Sequence, residues 1–386
     1  MAARDPLTAN LDAPRESFLR EIPSPNEVIL VTGAGGSIGS SIARQLCVRA
    51  QHCCDPARQD VNRTLVLLDH SEQNLYEIDS EIKPAAAHAF RQCISILGDV
   101  ADDALLDEIF ERYRPTQIFH AAAFKHVPLM EENPIAVIRN NILGTWTLAT
   151  TAAKHRARQL LMISTDKAAN PRSIMGAAKR VAELLLSRLD TPATRMRSLR
   201  LGNVLGSTGS VVPLFQQQIA RGGPVTVTHP EARRYFLSLD DATDLILTTA
   251  ALNNPGTLFV PELEAPVKIL DLAKKLIRES AASAPSNTKQ IEIAFTGLRP
   301  GDKLSEDLLS SSETAEPTAH PKLRRIVGPL PTDDSLDAAT RVIAERVQSR
   351  DLPALLDTIR SLVPDYLPSE TLSALTSSQL SATAKA

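Results

Sequence analysis

Between Glu27 and Leu201, short apolar runs alternate with segments of helical periodicity, and this alternation limits the possible folds more than any other feature of the chain. Val28-Ile29-Leu30-Val31 is short, rich in β-branched residues and closely followed by glycines, the pattern of a strand covered on both faces. Residues 64–68, 94–97, 117–120, 159–163 and 195–201 read as further strands. Residues 40–50, 71–83, 102–114, 134–155 and 173–189 read as the helices between them. Such repeats join parallel strands through right-handed crossovers, so the expected fold is α/β with a doubly wound parallel sheet.

Gly33, Gly36 and Gly39 follow the first strand and open the first helix, with Ser37 and Ile38 between the last two glycines. Glycines there permit the tight turn and let the backbone approach a diphosphate, whose charge meets free N–H groups at the helix start. This predicts a Rossmann-type dinucleotide site. Asp69 ends the second strand, where a carboxylate can accept hydrogen bonds from both ribose hydroxyls, a preference for NAD over NADP; capping of the helix at Ser71 is a compatible second role. Asp99-Val100 resembles the adenine-contacting pair of such folds, unless Asp99 simply caps the next helix. Ala121 and Ala122, past the fourth strand, are expected beside the cofactor.

After Gly202 the alternation loosens. Helical patterns at 211–221, 240–252 and 269–280 and extended ones at 224–228, 257–260 and 291–294 predict a smaller lobe over the carboxyl edge of the sheet. The expected organisation is a flexible arm over 1–26, an NAD-binding domain over 27–202, a substrate lobe over 203–330, C-terminal helices over 331–368 and a disordered Ser/Ala/Thr-rich tail over 369–386. Residues 51–63 read as a loop insertion.

Lys and Arg total 42 against 45 Asp and Glu, a formal net charge of -3, so no basic excess asks for nucleic acid or an anionic membrane. Cys47, Cys53, Cys54 and Cys93 lack metal-ligand spacing, so no metal is expected. With no secretory leader, they point to a reducing, cytoplasmic setting. No run of 18 apolar residues suggests a membrane span.

The fifth strand leads into Ser164-Thr165-Asp166-Lys167-Ala168-Ala169-Asn170-Pro171, where an acid and an amine stand side by side at the edge at which open α/β sheets carry chemistry. Met175 and Lys179, four residues apart, share a face of the next helix. Taken alone, the stretch also reads as a solvated ion pair followed by a turn.

The GxxGxxG spacing with Ser164-Thr165 and Lys179 resembles the extended short-chain dehydrogenase/reductases, in which a Tyr stands four residues before the Lys. Here Met175 holds that position. A closer resemblance lies in Ala121–Glu131, the STDKAANP segment, Arg200–Ser207, Gly209–Pro213, Arg234-Tyr235-Phe236, Gly297–Leu304 and Leu362–Tyr366. Together these look like the CapD-type polysaccharide-biosynthesis proteins, UDP-N-acetylglucosamine 4,6-dehydratases, in the branch that carries Met for Tyr. The Arg4-Asp5-Pro6 arm resembles the linker after the membrane region of large members, and a chain lacking that region is the expectation. Ser305 and Leu263-Glu264 depart from the usual residues of the substrate lobe.

The resemblance implies a redox cycle on the hexose of a UDP-sugar. Carbon 4 gives a hydride to NAD, the resulting ketone acidifies carbon 5, and the hydride returns to carbon 6 as its hydroxyl leaves. It assigns Lys167 as the base at carbon 5, which requires a lowered pKa, and Asp166 as the acid at carbon 6, which requires a raised one. Lys179 would hold the nicotinamide ribose, and Thr165 the oxygen on carbon 4. Arg234 and Arg299 become diphosphate partners, although either could be a surface ion pair. Lys125, Asn203 and Ser210 are further sugar contacts, and Glu306 a uridine-ribose contact. A homo-oligomer and association with membrane glycan-synthesis enzymes are also implied. The competing readings are a UDP-sugar 4-epimerase, which does not need the Asp166-Lys167 pair, and a catalytically silent NAD-binding scaffold, motivated by Met175.

Overall fold

The computed structural model describes residues 27–52, 62–87, 89–282 and 291–383. The 1–26 arm, most of the 51–63 insertion with Cys53 and Cys54, and residues 384–386 lie outside them.

Strands β1 (Val28–Thr32), β2 (Thr64–Asp69), β3 (Gln92–Leu97), β4 (Gln117–His120), β5 (Gln159–Thr165) and β6 (Arg195–Leu201) pair in parallel in the order β3-β2-β1-β4-β5-β6. The order reverses between β1 and β4, which opens a crevice at their carboxyl ends. Because side chains alternate along a strand, Ile29, Val31, Leu65 and Leu67 pack on one face with α1 (Ser37–His52) and α2 (Glu72–Ala86). Leu30, Val66 and Leu68 pack on the other with α3 (Asp103–Tyr113). Burial on both faces explains why these runs are apolar throughout.

Two short helices follow β4, α4 (Val127–Glu132) and α5 (Pro134–Ile138). The one long helix expected over 134–155 is instead α5, a π-helical stretch at Arg139–Gly144 and α6 (Thr145–Lys154). Helix α7 (Ile174–Leu189) begins at Ser173, whose Oγ accepts the Gly176 N–H at 3.1 Å.

Beyond β6 come β7 (Asn203–Val204), α8 (Val211–Ala220), β8 (Val225–Val227), β9 (Arg233–Arg234), β10 (Phe236–Leu237), α9 (Leu239–Ala251) and β11 (Leu258–Pro261). Then follow β12 (Val267–Lys268), α10 (Ile269–Ala282), β13 (Ile293–Phe295), β14 (Thr314–Pro317) and β15 (Leu323–Val327). The lobe has its own small core of Phe215, Ile219, Val225, Val227, Ile269 and Ala273. The 203–330 span is nevertheless shared with the main sheet. Strand β11 lies parallel beside β6, and β15 and β14 add antiparallel to it, so the sheet has nine strands and is mixed at this edge. Helix α9 joins the α1 face through Ala242, Leu245 and Ile246.

Helices α11 (Asp333–Ser349), α12 (Leu352–Leu362) and α13 (Glu370–Thr383) complete the chain, and residues of all three bury Ile174, Val181, Leu184 and Leu185 of α7. The tail expected to be disordered is therefore helical over most of its length. Ser369 Oγ accepts the Leu372 N–H, Leu372 is fully buried in that cluster, and Gln379 bonds the backbone of Arg350 and Leu352. Serine, alanine and threonine supply too little apolar surface to signal this; one buried leucine and a cap suffice once α12 is in place. Among the described residues no helix is long and apolar enough to cross a membrane.

Candidate active site

Strand β1 ends in the glycine turn at the crevice. Gly33 has φ 65°, and a Cβ there would stand 2.6 Å from the Ala122 nitrogen; one at Gly39 would stand 2.1 Å from the Gly33 oxygen. Only glycine lets the ends of β1 and β4 and the start of α1 come this close. Gly36 donates to Gly33 O at 3.0 Å, Ile38 packs on the core, and Ala121 donates to Thr32 O at 3.0 Å. Asp69 Oδ2 accepts the Gly35 N–H and Oδ1 the Ser71 N–H, both at 2.9 Å. The carboxylate thus ties the glycine turn to the start of α2, while the cap of that helix is Ser71 itself. Asp99 accepts from the Ala101 N–H at 2.9 Å and pairs with Arg139 at 2.9 Å; Asp102 is the cap of α3. Val100 is buried against the π-helical stretch at Gly144, a position where π-turns mark functional sites.

At the end of β5 the chain makes one turn of 3₁₀-helix, Asp166–Ala168, capped by Thr165. Asp166 is 0% exposed; its Oδ1 accepts from Thr165 Oγ1 at 3.0 Å and from Lys167 Nζ at 2.9 Å, and its buried Oδ2 has no hydrogen-bond partner among the described residues. Lys167 Nζ also donates to Asn203 Oδ1 at 3.2 Å and stands 3.8 Å from Glu306 Oε1. Burial acts to lower the Lys167 pKa, but the attraction of Asp166 and Glu306 outweighs it and the net shift is upward. This corrects the expectation of a neutral amine: Nζ donates to Asp166 and Asn203, and the Glu306 carboxylate at 3.8 Å adds the attraction of a second anion.

Lys179 is buried one turn along α7, and desolvation, partly offset by Glu183, brings its pKa down to about 8. Burial, aided by Lys179, holds His120 neutral with a pKa of about 3. Its ring bridges Thr32 Oγ1 and Thr145 Oγ1 at 2.8 and 2.9 Å. Met175 is buried in the cluster that joins α7 to the C-terminal helices.

The lobe brings the remaining residues over this edge. Ser37 Oγ accepts the Thr208 N–H at 3.0 Å, and a Cβ at Gly209 would stand 2.5 Å from the His126 ring, so the 206–210 segment closes over the glycine turn and the exposed Lys125-His126 pair. Ser210 begins α8 with its buried Oγ unpartnered. Arg234 does not present an open fork here: it donates to the backbone oxygens of Arg233, Lys303 and Leu304. Arg299 is exposed and pairs with Asp302 at 3.0 Å. Glu306 lies buried among Lys167, Arg234 and Lys303.

Several residues around this site were assigned no role from the sequence. Gly176 lets α7 rest on the Asp166–Ala168 turn. Glu131 accepts the Ile174 N–H at 2.7 Å and also a bond from Ser369, linking α7 to the C-terminal segment. Beneath the turn Ser164 donates to Glu183 at 2.6 Å, and Glu183 and Glu313 share the fully buried Arg200. The signal for the last was the arginines within β6, a strand whose place in the alternation puts it inside the sheet.

A family model described as polysaccharide biosynthesis protein matches residues 29–327. The capsular polysaccharide biosynthesis protein CapD of Staphylococcus aureus is 44% identical over 302 residues, 78% of this chain and 48% of CapD. The probable polysaccharide biosynthesis protein EpsC of Bacillus subtilis is 41% identical over 301 residues, 77% of this chain and 47% of EpsC. The chain therefore spans about half the length of these curated relatives. Among solved structures, Pen from Bacillus thuringiensis superposes with a TM-score of 0.66 at 26% identity, covering 80% of this chain and 88% of Pen. A double mutant of DesIV, a dTDP-glucose 4,6-dehydratase from Streptomyces venezuelae with NAD and DAU bound, gives 0.59 at 21% identity over 72% and 87% of the two chains, a likeness of fold alone. With the matched span running from β1 to β15, the chain belongs to the polysaccharide biosynthesis protein family.

Proposed function

We propose that the chain is an NAD-dependent nucleotide-sugar 4,6-dehydratase that converts UDP-N-acetylglucosamine to a UDP-4-keto-6-deoxy-hexose for surface glycan synthesis. The observation that carries this reading is the buried Asp166-Lys167 pair, with one carboxylate oxygen unpartnered and the other 2.9 Å from the ammonium. Elimination across carbons 5 and 6 uses an acid and a base side by side. Epimerisation at carbon 4 needs no acid and base at carbons 5 and 6.

The residues present fit NAD. A Cβ at Gly33 or Gly39 would strike backbone, so these glycines keep the tight turn that opens α1, and Asp69 stands at the end of β2. Gly33, Gly36, Ser37, Ile38, Gly39, Asp69, Asp99, Val100, Ala121 and Ala122 would hold the adenosine and diphosphate, and Lys179 the nicotinamide ribose. Bound NAD would take a hydride from carbon 4 and return it to carbon 6.

Thr165 bonds the oxygen on carbon 4 and passes its proton to Asp166, to which it already donates at 3.0 Å. Neutralised, Asp166 no longer holds the Lys167 ammonium, which releases its proton to solvent and becomes the base at carbon 5. Asp166 then protonates the departing hydroxyl; after the hydride arrives Lys167, its N–H protons exchanged with solvent, gives one to carbon 5 and regains a proton from solvent. The carbon 4 hydroxyl proton thus leaves in the water formed, and no Tyr is needed. Arg299, Lys125, Asn203 and Ser210 border the nucleotide-sugar side; Arg234 braces the loop carrying Glu306. Product mass after incubation with UDP-N-acetylglucosamine tests the reading: a loss of one water supports it, an unchanged mass overturns it.

A further inference from the structure

The 303–307 loop is fixed on both sides of Glu306. Lys303 Nζ donates to Ala169 O at 2.8 Å and Asn170 Nδ2 to Asp307 Oδ2 at 3.3 Å, so the loop is fastened to the segment that follows the catalytic turn. On its other side Arg233 donates its N–H to Leu304 O at 2.8 Å, and Arg234 donates to Leu304 O and Lys303 O. The Glu306 carboxylate is 2% exposed, with Oε1 at 3.8 Å from both Lys167 Nζ and Arg234 Nε and Oε2 at 3.6 Å from Lys303 Nζ. Oε2 has no hydrogen-bond partner among the described residues.

We propose that Glu306 is a positioning residue for Lys167, a fixed buried anion that holds the ammonium in the site and opposes its conversion to the neutral base. This rests on the dehydratase reading. The distances carry the argument: at 3.8 Å the carboxylate attracts by charge without the directional bond that Asp166 makes at 2.9 Å. Lys167 therefore stays anchored when Asp166 is neutralised, yet remains free to turn toward carbon 5. The charged groups facing Lys167 are Asp166, Glu306 and Arg234; those facing Glu306 are Lys167, Arg234 and Lys303, and Lys303 also meets Asp307. Removing the Glu306 charge leaves Asp166 as the one anion at Lys167 and lowers the amine's proton affinity.

The test is Glu306→Gln, read in two ways. Brief acetylation of the substrate-free protein with acetic anhydride at mildly alkaline pH, followed by peptide mass spectrometry, reports the neutral fraction of Lys167 against exposed Lys274. The expected result is about a tenfold or larger rise in relative Lys167 labelling, the effect of one pKa unit. In steady state, the rising limb of kcat/KM against pH moves to lower pH by the same amount, a displacement that a purely structural role for Glu306 would not cause. Unchanged labelling, or a limb that stays in place, overturns the inference. Glu306→Asp, which keeps the charge but draws it back, gives a smaller shift in the same direction and carries the test if the amide variant does not fold. A wild-type protein that removes no water from UDP-N-acetylglucosamine would sink the dehydratase reading, while the labelling would still decide whether Glu306 holds Lys167.

Discussion

Gly176 lies so close to the Asp166–Ala168 turn that a Cβ in its place would stand 2.3 Å from the carbonyl oxygen of Lys167. The first turn of α7 therefore rests on the backbone that carries Asp166 and Lys167. Because the clash is with backbone, Gly176→Ala must move the turn. We expect kcat for water loss to fall on the order of 10²-fold, the effect of about a 1 Å misplacement, with circular dichroism unchanged. Wild-type kcat in this variant would show that the turn does not depend on this contact.

Arg200 joins two buried carboxylates, at 2.8 Å to Glu183 and 2.7 Å to Glu313. Arg200→Met leaves both with Arg180, the Ser164 hydroxyl and the Ser310 N–H, and the unfolding free energy is expected to drop by about 3–5 kcal/mol in urea titrations. Burial raises both carboxyl pKa values, but Arg200 outweighs it and holds them below the ordinary 4.5. Their contribution is thus in place above about pH 4.5 and is lost as pH falls through the depressed values. A variant that loses under about 1 kcal/mol would mean that the network is dispensable.

Lys179 is charged below its pKa of about 8 and neutral above it. If its ammonium holds the cofactor, the affinity for NAD measured by calorimetry should weaken as pH rises through that value, by up to about tenfold per unit. Lys179→Met should flatten this dependence. It should also raise Tm, because a desolvated cation is replaced by an apolar chain. A flat profile in the wild type would remove Lys179 from the cofactor site.

Asp166→Asn separates the two proton transfers assigned to one carboxylate. With no group to take the carbon 4 proton, the transient nicotinamide absorbance of a single turnover should vanish together with water loss. Normal carbon 4 oxidation without elimination would restrict Asp166 to the acid role.

Strands β1, β2, β4 and β5 were legible because they are buried on both faces and are largely apolar, and the glycine turn because its backbone crowding admits no other residue. The antiparallel edge was not. Thr314–Pro317 reads TAEP, polar and ending in proline, which only an edge strand tolerates. The Asp166-Lys167 pair stood out from its place after β5, but the charge on Lys167 did not, because the nearby Glu306 is distant in the sequence and arrives only through the fold. The same holds for Arg200, whose partners come from α7 and from the segment before β14.

The central claim is tested most directly by incubating the purified protein with UDP-N-acetylglucosamine in deuterated water and following the sugar nucleotide by mass spectrometry and proton NMR. The account predicts loss of one water with deuterium entering at carbon 5. An unchanged mass with the configuration at carbon 4 scrambled would contradict it and make the chain an epimerase.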